Sequence, residues 1–268
     1  MRTFSVIAVA ALVLAGRAWA VGPDLPALQH ATLSAGRTQF VVRSTGSTTS
    51  LRKLVDGRLI AHATVPGAWG VQLVTYRGDV AGLSGDGGTL VLSDNVEPNG
   101  RLRPTSRFAV LDTRSLAVTR RITLRGDYGV DALSPSGDVL YLIRHLSNDD
   151  VTRYQVQAYD LAAGRLLPGV IADKRQAGWV MAGSPIARAT SAGGRWVYTL
   201  YQQSNNYPFV HALDAAHRTA ICIGLPVDWT KSWLSTARLV LAGGKLEVVS
   251  GGRTRAVLDT RTFAVSTP

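Results

Sequence analysis

Leu83-Ser84-Gly85-Asp86-Gly87-Gly88-Thr89-Leu90-Val91-Leu92 returns as Leu133-Ser134-Pro135-Ser136-Gly137-Asp138-Val139-Leu140-Tyr141-Leu142, residue for residue at an offset of 50. Looser copies stand at Leu33–Val41, Thr190–Tyr198 and Leu241–Val249. A second element follows each copy. Phe108-Ala109-Val110-Leu111-Asp112-Thr113 matches Arg255-Ala256-Val257-Leu258-Asp259-Thr260, and related segments carry Asp56, Asp160 and Asp214. Self-similarity at such a period marks an array of one supersecondary unit. Each unit reads as an apolar run, a tight Gly turn, an alternating run, a polar loop, a second alternating run, an Asp turn and a last alternating run. That pattern predicts four short antiparallel strands, A to D. Gly after Ser or Asp reaches positive φ at little cost, and an Asp side chain accepts backbone N–H groups two residues on, which sets the C–D turn.

Leu133-Ser134-Pro135-Ser136-Gly137-Asp138-Val139-Leu140-Tyr141 resembles the Ser-Pro-Asp-Gly…Leu-Tyr signature of YVTN-type and TolB-like bacterial propeller repeats. Val110-Leu111-Asp112-Thr113 followed by Arg120-Arg121-Ile122 is similar to their strand C to D segment. The resemblance spans roughly residues 30 to 265, is good in the second and third units, and loses the Pro in the fourth and fifth. No Trp-Asp dipeptide occurs, so the chain is WD-repeat-like only in outline. The expected fold is all-β, a β-propeller of five blades with four antiparallel strands each, occupying residues 21–268 as one domain. Leu25 to Thr32 reads as the one place for a turn of helix. Trp69 to Tyr76 is an extra apolar stretch that fits a displaced strand, a partial sixth blade or a ring-closing strand.

Residues 1–20 read as a secretory signal. Arg2 gives the basic start, Phe4 to Ala15 an apolar run too short to span a bilayer, and Ala18-Trp19-Ala20 the small-x-small cleavage pattern. The expected location is secreted or periplasmic, with no later segment apolar enough to cross a membrane. Cys222 is the only cysteine, so no intrachain disulfide forms; within Ile221-Cys222-Ile223 it reads as a small buried hydrophobe on a strand. The net charge of +11 is mostly arginine, scattered without a run. A polyanion is electrostatically allowed, but no focused patch points to nucleic acid.

In this topology the A–B and C–D turns share one rim and the B–C and D–A loops the other. The second set is long, and loops on a rigid scaffold carry function. The predicted binding face displays Trp179, Trp229, Tyr207, Arg101, Arg103, Asp149 and Asp150, with Asn148, Asn205 and Asn206. Aromatic, amide and guanidinium groups of this kind stack on and hydrogen-bond to a protein, a peptide or a glycan. No cofactor or metal motif is present. The five histidines show no His-x-x-x-His spacing, and Asn148-Asp149-Asp150 lacks an EF-hand pattern. After the signal only Glu97 and Glu247 remain as glutamates, in different units. No catalytic motif stands out, and Arg-Gly-Asp at 77–79 and 125–127 reads as a duplicated D–A turn. The leading expectation is an exported binding module. The alternatives are a hydrolase or lactonase acting on a carbohydrate-like substrate at the central opening, and a structural, envelope-associated protein.

Overall fold

The computed structural model describes residues 25–94, 101–150, 152–175, 180–203, 207–227 and 232–268. The segment read as an export signal lies outside the described residues. Five antiparallel sheets follow one another along the chain. Blade one has strands A to D at His30–Ala35, Thr38–Ser44, Thr48–Val55 and Arg58–Pro66. Blade two has a split strand A, Trp69–Leu73 and Val80–Ala81, then Thr89–Asp94, Thr105–Asp112 and Val118–Arg125. Blade three runs Tyr128–Leu133, Val139–His145, Arg153–Asp160 and the two-residue Arg165–Leu166. Blade four runs Ser184–Thr190, Trp196–Gln202, Phe209–Asp214 and Thr219–Gly224. Blade five runs Arg238–Ala242, Lys245–Ser250, Arg253–Asp259 and Val265–Ser266. This is a five-bladed β-propeller.

The core lies between the sheets. One apolar cluster joins blades one and two, one joins two and three, one three and four, and one four and five. Middle blades therefore bury both faces, and strand A of blade three is buried at every position. The terminal blades bury one face, so strand A of blade five alternates between exposed and half-buried positions. Among the described residues no core cluster joins blade five to blade one. The difference follows from sequence: Leu140-Tyr141-Leu142-Ile143 is a continuous apolar run, as a strand covered on both faces requires, whereas Lys245-Leu246-Glu247-Val248 alternates.

The turns hold by the expected chemistry. Oδ1 of Asp112 accepts the N–H of Ser115 at 2.8 Å, Asp160 that of Ala163 at 2.8 Å, and Asp259 that of Thr262 at 2.8 Å. Four residues past the turn aspartates of blades two to five, the backbone enters the left-handed region, at Leu116, Gly164, Arg218 and Phe263. At the A–B turns a serine hydroxyl accepts the N–H five residues on: Thr89 to Ser84, Val139 to Ser134 and Trp196 to Ser191, at 2.8 to 3.0 Å.

Two expectations are corrected, and the open choice over Trp69 to Tyr76 falls to the displaced strand. Leu25 to Thr32 holds no helix: Ala27–Leu28 is a short strand paired with Val71 and Gln72, and His30 opens blade one. Trp69 to Tyr76 is neither a sixth blade nor a closing strand. It opens the inner strand of blade two, where Trp69 and Gly70 pair with Asp94 and Ser93, and runs on into a hairpin in which Gln72 and Leu73 pair with Ala81 and Val80. The hairpin tip crosses the middle of the ring. Tyr76 and Arg77 donate their N–H groups to the carbonyls of Pro185 and Ile186 in blade four, at 3.0 and 3.2 Å. The two Arg-Gly-Asp tripeptides are consequently not equivalent. The one at 125–127 is a D–A turn, whereas 77–79 lies on the hairpin. The true counterpart of Gly126 is Gly67, with the same φ of 109°. Each of these two carbonyls accepts a strand C hydroxyl, Thr49 to Gly67 and Ser106 to Gly126, at 2.9 Å.

Candidate functional site

The hairpin divides the centre of the ring, and a buried charge cluster fixes it there. Arg188, on strand A of blade four, donates its backbone N–H to Oδ2 of Asp79 at 2.8 Å and its Nε to Thr199 at 3.1 Å. Its guanidinium pairs with Asp131 of blade three, both side chains being buried. Asp79 also accepts the Thr75 hydroxyl at 2.7 Å. Above this cluster, toward the short-turn rim, lies a cavity of about 400 Å³ that includes Ser34, Gly85, Asp131, Arg188, Thr190 and Ser191 in its wall. The turns close in tightly there. A Cβ on Gly85 would stand 2.0 Å from the Gly193 carbonyl, so blades two and four meet through glycine backbone.

A second cavity of about 400 Å³ lies on the long-loop rim, over the seam of blades three and four. Its wall contains Met181, Gln203, Tyr207, Phe209, Cys222 and Gly224. Tyr207 is 58% exposed. Phe209 stacks on Tyr201 at 5.1 Å between ring centroids, and Gln203 donates its amide to the Ala182 carbonyl at 3.0 Å. The D–A loop of blade three shapes this pocket. Met181–Ala182 pairs with Arg153 and Tyr154, and Asp173 accepts the N–H of Cys222 at 2.9 Å while Arg175 donates to the Cys222 carbonyl at 3.2 Å. The hydrogen bonds from Arg175 outweigh burial and hold the Asp173 carboxyl down at about 2.

Of the residues expected on this face, Tyr207 stands at the pocket, and Trp179 and Trp229 lie outside the described residues, as do Asn205 and Asn206. Arg101, Arg103, Asp149 and Asp150 lie on the loops of blades two and three. The two loops touch where Leu102 donates its N–H to Asn148 at 2.6 Å. Arg103 is engaged inward: its Nη2 reaches Oδ1 of Asp127 at 2.8 Å and its Nη1 reaches Asp94 at 3.2 Å. Burial alone would raise the Asp127 carboxyl; the His145 ring, whose Nδ1 lies 3.4 Å away, and the charge of Arg103 outweigh it and hold it at about 2. Asp150 closes its own loop by accepting the N–H of Thr152 at 3.1 Å, and Asp149 is exposed. Sequence reasoning missed Met181, Gln203 and Phe209, because they come from three different segments and carry no motif. It also missed His211, which is 3% exposed and lies on strand C facing Cys222. Burial lowers the His211 imidazole to about 4 and pushes the Cys222 thiol up to about 12.

No protein-family model matches the chain, and no curated protein matches it in sequence. Solved structures do resemble it. A functionally unknown protein from Desulfotomaculum acetoxidans is 12% identical, with a TM-score of 0.50 over 92% of this chain and 70% of its own. TolB from Acinetobacter baumannii is 13% identical, with a TM-score of 0.42 over 88% of this chain and 53% of its own. The likeness is one of fold. This chain spans about half the length of that TolB, and a shared propeller does not carry an activity from one protein to another.

Proposed function

We propose that this chain is an exported binding module whose ligand seats in the long-loop pocket over the seam of blades three and four. The observation that carries the reading is that pocket: about 400 Å³, lined by the aromatic Tyr207 and Phe209 and by the amide of Gln203. Small-ligand sites are concave and carry a few polar groups that fix orientation. Tyrosine combines an apolar ring with a polar tip, a combination suited to a peptide or glycan segment. Export rests on the reading of residues 1–20. Among the described residues, no helix is long and apolar enough to cross a membrane.

Peptide and glycan arrays probed with the purified chain test the proposal. Binding is expected to fall at least tenfold with Tyr207→Ala, a loss of about 1.4 kcal/mol, and to persist with Thr190→Ala in the other cavity. Binding that survives Tyr207→Ala and is lost with Thr190→Ala would place the site at the opposite rim and overturn the reading.

A further inference from the structure

Blade one has a second face that its neighbours leave uncovered. Its apolar cluster, with Leu33, Phe40, Val42 and Leu51, is shared with blade two alone. Among the described residues no core cluster or ion pair joins it to blade five. The side chains that alternate with that cluster point the other way. Strand pairing sets them in rows. One row runs His30, Arg43 and Ser50 across strands A to C, and the next runs Val41, Arg52 and His62 across strands B to D. Both arginines and both histidines are exposed.

The charge on this face is unbalanced. Directly paired side chains stand about 5 Å apart at Cβ and diagonal ones about 7 Å. Arg43 is therefore beside His30 and diagonal to Arg52, which is itself beside His62. Between positions 30 and 66 the one acid is Asp56, and it pairs with Arg37 at 3.2 Å. Lys53 belongs to the other face, where its Nζ donates to the Thr113 carbonyl at 3.1 Å. Among the described residues no acid or aromatic ring engages Arg43 or Arg52. The free face of blade five differs: Lys245 stands directly across from Asp259, and Val240 from Glu247. Like charges side by side on a sheet cost stability, so two adjacent arginines without an acid point to an anion from outside.

We propose that this face of blade one binds an acidic polysaccharide, with Arg43 and Arg52 holding carboxylates on neighbouring sugar units. Guanidinium and carboxylate form paired, charge-assisted hydrogen bonds. The Ser50 hydroxyl and the His30 and His62 rings supply hydrogen-bonding groups beside the arginines for sugar hydroxyls. An open sheet face admits a long chain lying across it. Single-stranded nucleic acid fits less well, because its bases stack on aromatic rings. The only Phe, Tyr or Trp between 30 and 66 is Phe40, buried toward blade two. An anionic lipid surface would instead use the exposed Leu59 and Ile60 near the C–D turn, and vesicles distinguish the two.

The purified chain is titrated by calorimetry at low salt with polygalacturonate, dextran, poly-L-glutamate, poly(dT) and phosphatidylglycerol vesicles. Polygalacturonate is expected to bind most tightly, dextran not at all, and added salt to weaken the binding. Arg43→Gln with Arg52→Gln is expected to lower affinity about tenfold or more. Arg238→Gln with Lys245→Gln removes the same charge from blade five and is expected to lower it no more than about twofold. All four side chains are exposed, so both double variants keep the far-UV spectrum and melting of the parent. Tyr207→Ala leaves this binding unchanged, which separates failure of this face from failure of the long-loop pocket. No binding of polygalacturonate, equal losses in the two double variants, or equal or tighter binding of poly-L-glutamate, poly(dT) or vesicles would each overturn the proposal.

Discussion

The two cavities have the same volume, about 400 Å³, yet they are built from different material. The short-turn cavity is walled by glycine, serine and threonine together with aliphatic Leu33, Val80, Leu83 and Val197, and its charge pair, Arg188 with Asp131, is already mutually satisfied and tied to Asp79 and Thr199. The wall of the long-loop pocket includes Met181, Gln203, Tyr207, Phe209 and Cys222. One rim repeats the same turn chemistry from blade to blade. The other departs from the repeat, and side chains with chemistry to offer gather at the departure. On the proposed reading the first cavity serves stability and the second binding.

The largest effect should come from the charge cluster. Arg188→Met leaves Asp131 buried without its partner, while the backbone N–H that Asp79 accepts remains, so urea unfolding should show a loss of about 3–5 kcal/mol. A loss under about 1 kcal/mol would mean the cluster does not hold the centre of the ring.

The next effect belongs to the long-loop side and depends on pH. The folded His211 imidazole titrates at about 4, below its ordinary 6.5, because it is buried. The unfolded chain therefore takes up this proton first as pH falls. Stability from this group is complete above pH 6.5 and drains away down to pH 4, by up to about 3 kcal/mol. His211→Gln should flatten that part of the stability profile and leave the loss below pH 3.8, which comes from Asp127 and Asp173, in place. An unchanged slope between pH 6.5 and 4 in the variant would count against a buried neutral imidazole.

Smaller still, Ser134→Ala removes the hydroxyl that accepts the Val139 N–H at 3.0 Å and should cost about 1 kcal/mol in thermal unfolding. Tyr207→Ala should change stability by less than about 0.5 kcal/mol, since the side chain is exposed, while binding falls. Equal destabilisation by the two substitutions would erase the distinction between a rim that holds the fold and a rim that binds.

What the sequence revealed follows the same divide. Ser84, Ser134, Asp112 and Asp259 recur at fixed spacing because each must meet a backbone N–H a few residues away, and local geometry of that kind is legible in one dimension. The exposed place of Tyr207 on the long-loop rim was legible because a loop aromatic is conspicuous. The hairpin at Leu73–Val80 was not: its partners Pro185 and Ile186 lie more than a hundred residues away, and nothing local specifies that pairing. Arg103 looked like a displayed arginine, although its partner Asp127 sits in the next D–A turn. Met181, His211 and Cys222 read singly as core residues, and each of them is one; only the packing of three strands brings them together.

A fragment soak into crystals of the protein, with a library of aromatic, amide and sugar-like compounds, tests the assignment of the two cavities most directly. The account predicts that bound fragments gather between Tyr207, Phe209 and Gln203 on the long-loop rim. Fragments gathered instead around Arg188 and Asp131 at the short-turn rim, with the long-loop pocket empty, would contradict it.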